Sequence, residues 1–341
     1  METLMSSEHL PDFIQALLAP SAFSHEAANI KLVQTHISYV ILAGDFVYKF
    51  KKPVDFGFLD FSTLEKRRFC CEQELILNRR LSPEIYLDLV TVTRDNGEFS
   101  LGGKGDVVEY GVKMVRMPED RMMVNVIRSG ELEKSHVDSL VDVLVPFYRQ
   151  AEHNTEIDRF GSADAVAVNV LENFDQTREF VGSESLTSEQ YEAISNYARD
   201  FLTNEDIFGR RVAEGRVRDC HGDLYSANIC LADKVYIYDC IEFNQRFRYC
   251  DVASDMAFLA MDLDYHGLDG LSTYLIDRFA EVSGDTGLAD VLDFYKCYRA
   301  YVRGKIGLFT SHDPAVDEEV RVSSMDGAGK YFRLALKYAA G

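Results

Sequence analysis

An aspartate, an asparagine five residues later and a second aspartate eleven beyond that stand at intervals that suit one kind of reaction. The segment RDCHGDLYSANICL, residues 218–231, holds His221, Gly222, Asp223 and Asn228. Asp239 follows in VYIYDCIEF, and Asp251 and Asp255 form a D-x-x-x-D pair. A carboxylate can orient an acceptor hydroxyl and take its proton, while an amide oxygen and a further carboxylate are hard ligands that suit magnesium. Moving a phosphoryl group from Mg-ATP to a hydroxyl needs those parts. It also needs a cation on the α/β-phosphates, because catalysis there is mostly positioning and charge stabilisation. A lone H-G-D says little, since turns produce it often. Adding the Asn, the next Asp and the D-x-x-x-D leaves little room for coincidence.

These residues need elements to hold them. IKLVQTHISYVILAGDFVYKFKKP reads as strand, strand, turn, strand: Ile37, Tyr39 and Ile41 alternate, Ala43-Gly44-Asp45 turns, and Val47, Lys49 and Lys51 share one face until Pro53. Ser62 or Thr63 can cap a helix on which Leu64, Phe69, Leu77 and Leu81 recur, ending near Ser82-Pro83. IYLDLVTVTR and EYGVKMVRMP read as two more strands. Beyond them the pattern is mostly helical. HVDSLVDVLVPFYRQAEH is amphipathic with an expected kink at Pro146, and TSEQYEAISNYARDFL opens on a Thr187/Gln190 capping box. ICL and VYIYDCI are strand-like around Asp233-Lys234, and from Asp251 onward the reading is helical. A sheet-rich first third before a helix-rich remainder implies an α+β fold with two lobes, residues 1–116 and 117–341.

With those residues in view, HGDLYSAN resembles the catalytic loop H-G-D-L-x-x-x-N of the aminoglycoside phosphotransferase and choline kinase family, relatives of protein kinases, whose own loop is H-R-D-L-x-x-x-N. The resemblance implies a bilobal protein-kinase-like fold, with a small antiparallel-sheet lobe carrying one helix and a larger helical lobe. It implies Asp223 as catalytic base, Asn228 and Asp239 as magnesium ligands, His221 as a packing residue of the loop, and Asp255 as its brace. VYKF matches the ATP-anchoring strand, with Lys49 on the α/β-phosphates. Glu72 and Glu74 both qualify as its partner, and Glu74 is favoured because Glu74, Leu77 and Leu81 reproduce the family's E-x-x-L-x-x-x-L helix. KMVRMPED matches the connector whose backbone near Val115–Met117 hydrogen-bonds adenine. The wording FKKPVDFGFLDFSTLEKRR, with DCIEFN and FLAMDL, looks closer still to a bacterial aminoglycoside-phosphotransferase-like branch often fused to a second P-loop kinase domain. The expectation here is the stand-alone form: the one G-K, in DGAGKYFRLALKY, lacks the rest of a Walker A. Two positions depart from the family. No G-x-G-x-x-G covers the phosphates, which leaves the turn near Gln34–Ser38 or the adjacent hairpin, and Tyr225 stands where many relatives carry His or another small polar residue.

The acceptor is left open. Tyr295, Arg299 and Arg303 recur at i, i+4 and i+8, either as salt-bridging residues or as a clamp for an anionic group. Asp262 and Asp264 could equally receive a cationic amine, and Glu242 could touch metal or substrate or equally make a structural hydrogen bond. The composition narrows the partners. With 36 basic against 56 acidic residues and a net charge of −20, the average field repels nucleic acid. No apolar run is long enough for a bilayer span, METLMSSEHLPDFIQALLAP lacks a secretory pattern, and seven cysteines without C-x-x-C spacing read as reduced cytoplasmic thiols. The expectation is therefore a cytoplasmic, ATP- and Mg2+-dependent kinase of a small-molecule hydroxyl, with oligomeric state unread. The rivals are a nucleotide-binding regulator without activity and a protein kinase. The full Lys49/Asp223/Asn228/Asp239 set argues against the first, and the absence of an A-P-E segment after Asp239 against the second.

Overall fold

The computed structural model describes residues 10–314 and 316–341. Residues 1–9, part of the stretch expected to lack a secretory pattern, lie outside them. The chain divides into two compact units. The first holds the residues up to Pro118, Tyr238–Asn244 and a short piece ending at Asp317; the second holds the rest.

The first unit is built on an antiparallel sheet of β1 (Lys31–Gln34), β2 (Ser38–Ala43), β3 (Phe46–Lys51), β4 (Tyr86–Asp95), β5 (Glu98–Leu101) and β6 (Asp106–Val115). Its order among the described residues is β1-β2-β3-β6-β4-β5. Side-chain alternation gives β3 two different faces. Tyr48 and Phe50 enter an apolar core with Ile41 of β2 and with Ile14 and Leu17 of α1 (Asp12–Leu17). Lys49 and Lys51 point the other way, towards Glu74 of α2 (Leu64–Asn78).

Helix α2 is capped by Thr63, whose side chain accepts from the Lys66 amide. It ends at Asn78, sooner than Ser82-Pro83, and Phe69, expected on its inner side, is 58% exposed. The inner side mixes Cys70, Cys71, Leu75 and Leu77 with the polar Arg67, Glu74 and Asn78, so apolar periodicity alone misplaces it. Arg67 makes a buried contact with Glu109 of β6, its Nε–H shared between both carboxylate oxygens at 2.9 Å each. Strand β5 was not expected from the sequence, although its signal is present: Asn96 and Gly97 both take positive φ (49° and 91°), the turn that joins two strands most tightly.

The second unit is mostly helical: α3 (Met123–Arg128), α4 (Lys134–Gln150), α5 (Thr155–Asp158), α6 (Ala163–Thr177), α7 (Ser188–Leu202), α8 (Glu205–Ala213), α9 (Gln245–Arg248), α10 (Val252–Tyr265), α11 (Asp269–Ser283), α12 (Leu288–His312) and α13 (Glu318–Ala340). Two short pairs complete it, β7 (Val217–Asp219) with β10 (Tyr249–Asp251) and β8 (Ile229–Leu231) with β9 (Val235–Ile237). Helix α7 opens on the expected Thr187/Gln190 capping box. Helix α4 is continuous with Pro146 inside it; its buried face, Val137 to Tyr148, holds it through the missing hydrogen bond. Helix α10 is buried from Val252 to Leu263 and so lies at the centre of the unit. The α+β architecture read from the sequence is the one observed.

Candidate active site

In the first unit, register sets the charges. Lys49 of β3 pairs with Val40 and Val112 on its two sides, so its side chain leaves a fully paired strand and has little freedom at its root. Its Nζ lies 2.5 Å from Asp239 Oδ1 and 2.9 Å from Glu74 Oε1, although the two carboxylates stand far apart in sequence. Glu74, on the inner side of α2, is the acid that meets Lys49; Glu72 is on the outer side, paired with Arg68. Lys51 continues the set. It is 1% exposed, sits 2.5 Å from Glu74 Oε2 and also contacts Glu242 Oε1.

Three acids thus surround two lysines. Burial would push Lys49 and Lys51 down, but the neighbouring carboxylates outweigh it and raise both. Burial alone would raise Glu74, but the two lysines hold it below its ordinary value. Glu242 goes the other way: burial prevails over Lys51 and raises it.

Asp239 is held by its backbone. Its φ is +62°, a left-handed conformation that a non-glycine residue adopts at a cost, and such strain collects at working sites. Its amide donates to the Tyr86 hydroxyl at 3.1 Å, and the Cys240 amide donates to Asn78 Oδ1 at 2.8 Å. The Asp239 side chain remains 44% exposed, open to a cation. Elsewhere in this unit, the Val115 and Arg116 amides, in the segment expected to meet adenine, donate to Ile85 O and Asp45 O. The turn between β1 and β2 is closed without glycine, by the Ser38 amide on Thr35 Oγ1 and the Thr35 amide on Ser38 O, both at 2.9 Å.

In the second unit the loop after β7 is organised from beneath by Asp255. That side chain is fully buried and accepts from the His221 amide at 2.7 Å, the Gly222 amide at 2.9 Å and the Tyr148 hydroxyl at 3.1 Å. Gly222 has φ +86°, a left-handed conformation that favours glycine there. Its carbonyl accepts from Arg299 at 3.0 Å, and His221 is buried with its Nδ1 accepting the Asp223 amide at 3.3 Å. Asn228 Nδ2 donates to both Asp223 O and Asp223 Oδ2 at 3.0 Å. Those two bonds fix the amide orientation and leave Oδ1 as its acceptor atom.

The remaining candidates fall into structural positions. Asp251 caps α10 and pairs with Arg211, which also reaches Asp285. Asp262 is 2% exposed and accepts the Ser226 amide at 3.0 Å. Asp264 contacts Lys296 and Tyr338. Arg299 is committed to Gly222 O and Ser254 Oγ, with Asp255 at 3.8 Å. Residues that sequence reasoning missed are Tyr86, Asn78 and Tyr148; each acts through one polar atom on a distant backbone or carboxylate, which leaves no periodic signal.

Among the described residues, no cluster of three or more His, Cys, Asp or Glu side chains is arranged to hold a metal. Asp239 in the first unit and Asn228 in the second each carry an oxygen donor of the hard kind that magnesium takes, an ion that keeps waters and needs few protein ligands. The donor chemistry therefore fits that ion.

No family model matches the chain. Over 279 residues it is 34% identical to an uncharacterised protein of Mycobacterium tuberculosis and, equally, to one of Mycobacterium bovis. The match covers 81% of this chain and 54% of each relative, so the chain spans about half the length of the curated relatives it matches. Among solved structures, a choline/ethanolamine kinase family protein from Mesorhizobium loti aligns at TM-score 0.51 with 10% identity, over 93% of this chain and 94% of that one. An aminoglycoside phosphotransferase from Streptomyces rimosus aligns at TM-score 0.46 with 18% identity, over 84% and 97%. The first of these establishes the fold: this chain has the kinase-like α+β fold of the choline/ethanolamine kinase family structure.

Proposed function

We propose that the protein is a phosphotransferase that moves the γ-phosphoryl group of ATP, with magnesium, to a hydroxyl of a small molecule. The observation that carries this reading is Lys49 held between Glu74 and Asp239. A lysine aimed by one buried acid and adjoining a strained, half-open aspartate is suited to grip phosphates and present a metal ligand. The second unit contributes a carboxylate, Asp223, oriented by Asn228 on a loop whose amides are fixed by Asp255. The fold is that of a structure named for a small-molecule kinase family, which supports the same reaction class.

In this reading Lys49 holds the α/β-phosphates, Glu74 aims it, and Met117 in the connector meets the adenine. Asp239 and Asn228 Oδ1 would hold magnesium, which when bound offsets charge on the phosphate oxygens. Asp223 orients the acceptor hydroxyl. The acceptor oxygen bonds to the γ-phosphorus, the bond from that phosphorus to the bridging oxygen breaks with its electron pair leaving on ADP, and the hydroxyl proton passes to Asp223. We place the protein in the cytoplasm, because its seven cysteines are all free and, among the described residues, no helix is long and apolar enough to cross a membrane.

The test is a metabolite library incubated with Mg-ATP and read by mass spectrometry, with Asp223→Ala as control. We expect one or a few phosphorylated products whose formation falls at least ~100-fold in the variant while ATP binding is kept. Near-normal turnover by Asp223→Ala would remove the assignment.

A further inference from the structure

Helix α12 sets Arg299 and Arg303 one turn apart, and their surroundings differ. Arg299 has a carbonyl, a hydroxyl and a carboxylate around it. Arg303 has no acid within ion-pair distance among the described residues, and its Nε is buried without an acceptor. Its guanidinium lies over the Tyr225 ring, 4.7 Å from the centroid, and near the Tyr331 ring at 5.8 Å. Aromatic faces attract a cation, but they replace the hydration of a partly buried guanidinium less well than an oxyanion does.

The place of this cation gives it meaning. Tyr225 is two residues past Asp223, and its ring is stacked on Phe258 of α10 at 5.4 Å with an interplanar angle of 10°. That stack fixes the surface on which Arg303 rests, beside the loop of the base. Asp223 is near enough to act on the charge of Arg303, and Asp223, Tyr225 and Arg303 are each partly exposed, so a solute can reach them. The neighbouring acid offers no matching site for an amine: Asp262 is 2% exposed and turned onto the Ser226 amide.

We propose that Arg303 receives an anionic oxygen group, a carboxylate or a phosphate, carried by the acceptor whose hydroxyl Asp223 orients. This rests on the phosphotransferase reading and adds the substrate class: small hydroxy compounds of negative charge.

The experiment compares three sets of hydroxyl compounds as acceptors with the full chain and Mg-ATP: hydroxy acids and sugar phosphates, neutral sugars, and amino alcohols. Turnover is expected in the first set. Arg303→Gln should raise the acceptor KM by ~10- to 100-fold with the ATP KM unchanged, as for loss of a charge-assisted hydrogen bond, and Arg303→Lys should recover part of it. Preference for a neutral or cationic acceptor, or an effect on the ATP KM alone, would overturn the proposal while leaving the phosphotransferase reading intact. Should no compound turn over, inorganic phosphate titrated into Lys49→Met decides. Weaker binding after adding Arg303→Gln supports the site, and equal binding in the two proteins rejects it.

Discussion

Replacing Lys51 by methionine removes the ammonium that separates two buried carboxylates. Lys51 is 1% exposed, Glu74 is fully buried and the Glu242 side chain is 4% exposed. The wild-type set of Lys49 and Lys51 against Glu74, Glu242 and Asp239 has a formal charge of −1, and the variant would have −2. Removing one partner of a buried ion pair costs about 3–5 kcal/mol, because the other charge stays behind without water. That is a large part of the ~5–15 kcal/mol that holds a typical domain. Urea denaturation should show the loss, and hydrogen exchange should quicken in β3 and in Tyr238–Asn244, which Glu242 ties to the sheet.

The pH dependence has a definite sign. Glu242 already titrates above its ordinary value, and without Lys51 it should rise further. An acid raised in the folded state contributes stability that is complete below its unfolded value and is lost as pH rises through the folded one. The deficit of Lys51→Met should therefore be small near pH 5 and grow towards pH 8. Lys51→Met combined with Glu242→Leu should recover most of it. A single variant within 1 kcal/mol of wild type at pH 8, or a double variant no better than the single, would refute the reasoning.

Two further outcomes follow from the second unit. Burial holds Lys305 down to about 8 from an ordinary 10.5, so its stabilising share is present above 10.5 and lost as pH falls through about 8. Lys305→Met should raise the stability at pH 7 by up to ~3 kcal/mol, with the gain shrinking towards pH 10.5 in thermal melts. Asp255→Ala leaves two buried amides and the Tyr148 hydroxyl without their acceptor, and should cost about 3 kcal/mol or more. Exchange at the His221 and Gly222 amides should rise with it, and unchanged exchange there would show that the loop is held by something else.

The elements were largely legible where one physical signal governs them. Alternation and the Ala43-Gly44-Asp45 turn located β2 and β3, and the Thr187/Gln190 box located the start of α7. Between Glu72 and Glu74 the chemistry alone left the choice open, and only the resemblance of Glu74, Leu77 and Leu81 to the family's helix favoured Glu74. Lys51 was visible as sharing a face with Lys49, but in FKKP a buried lysine and a solvated one read alike; its partners Glu74 and Glu242, 23 and 191 residues away, separate them. Phe69 was misplaced because the inner side of α2 includes Arg67, Glu74 and Asn78, polar residues with partners elsewhere in the chain, beside its apolar ones. Arg299 and Arg303 share one helical spacing and have different surroundings, which no periodicity reports. Charge at fixed spacing was readable; the pairing of those charges across the fold was not.

The central claim is transfer of phosphorus from ATP to an acceptor hydroxyl under the control of Asp223. It is tested most directly by γ-labelled ATP with magnesium and the small-molecule pool, followed by separation of product, inorganic phosphate and protein. The label should enter an alcohol ester in the wild type and be absent from it in Asp223→Ala. Label found only in inorganic phosphate or on protein, or undiminished in the variant's ester, would contradict the account.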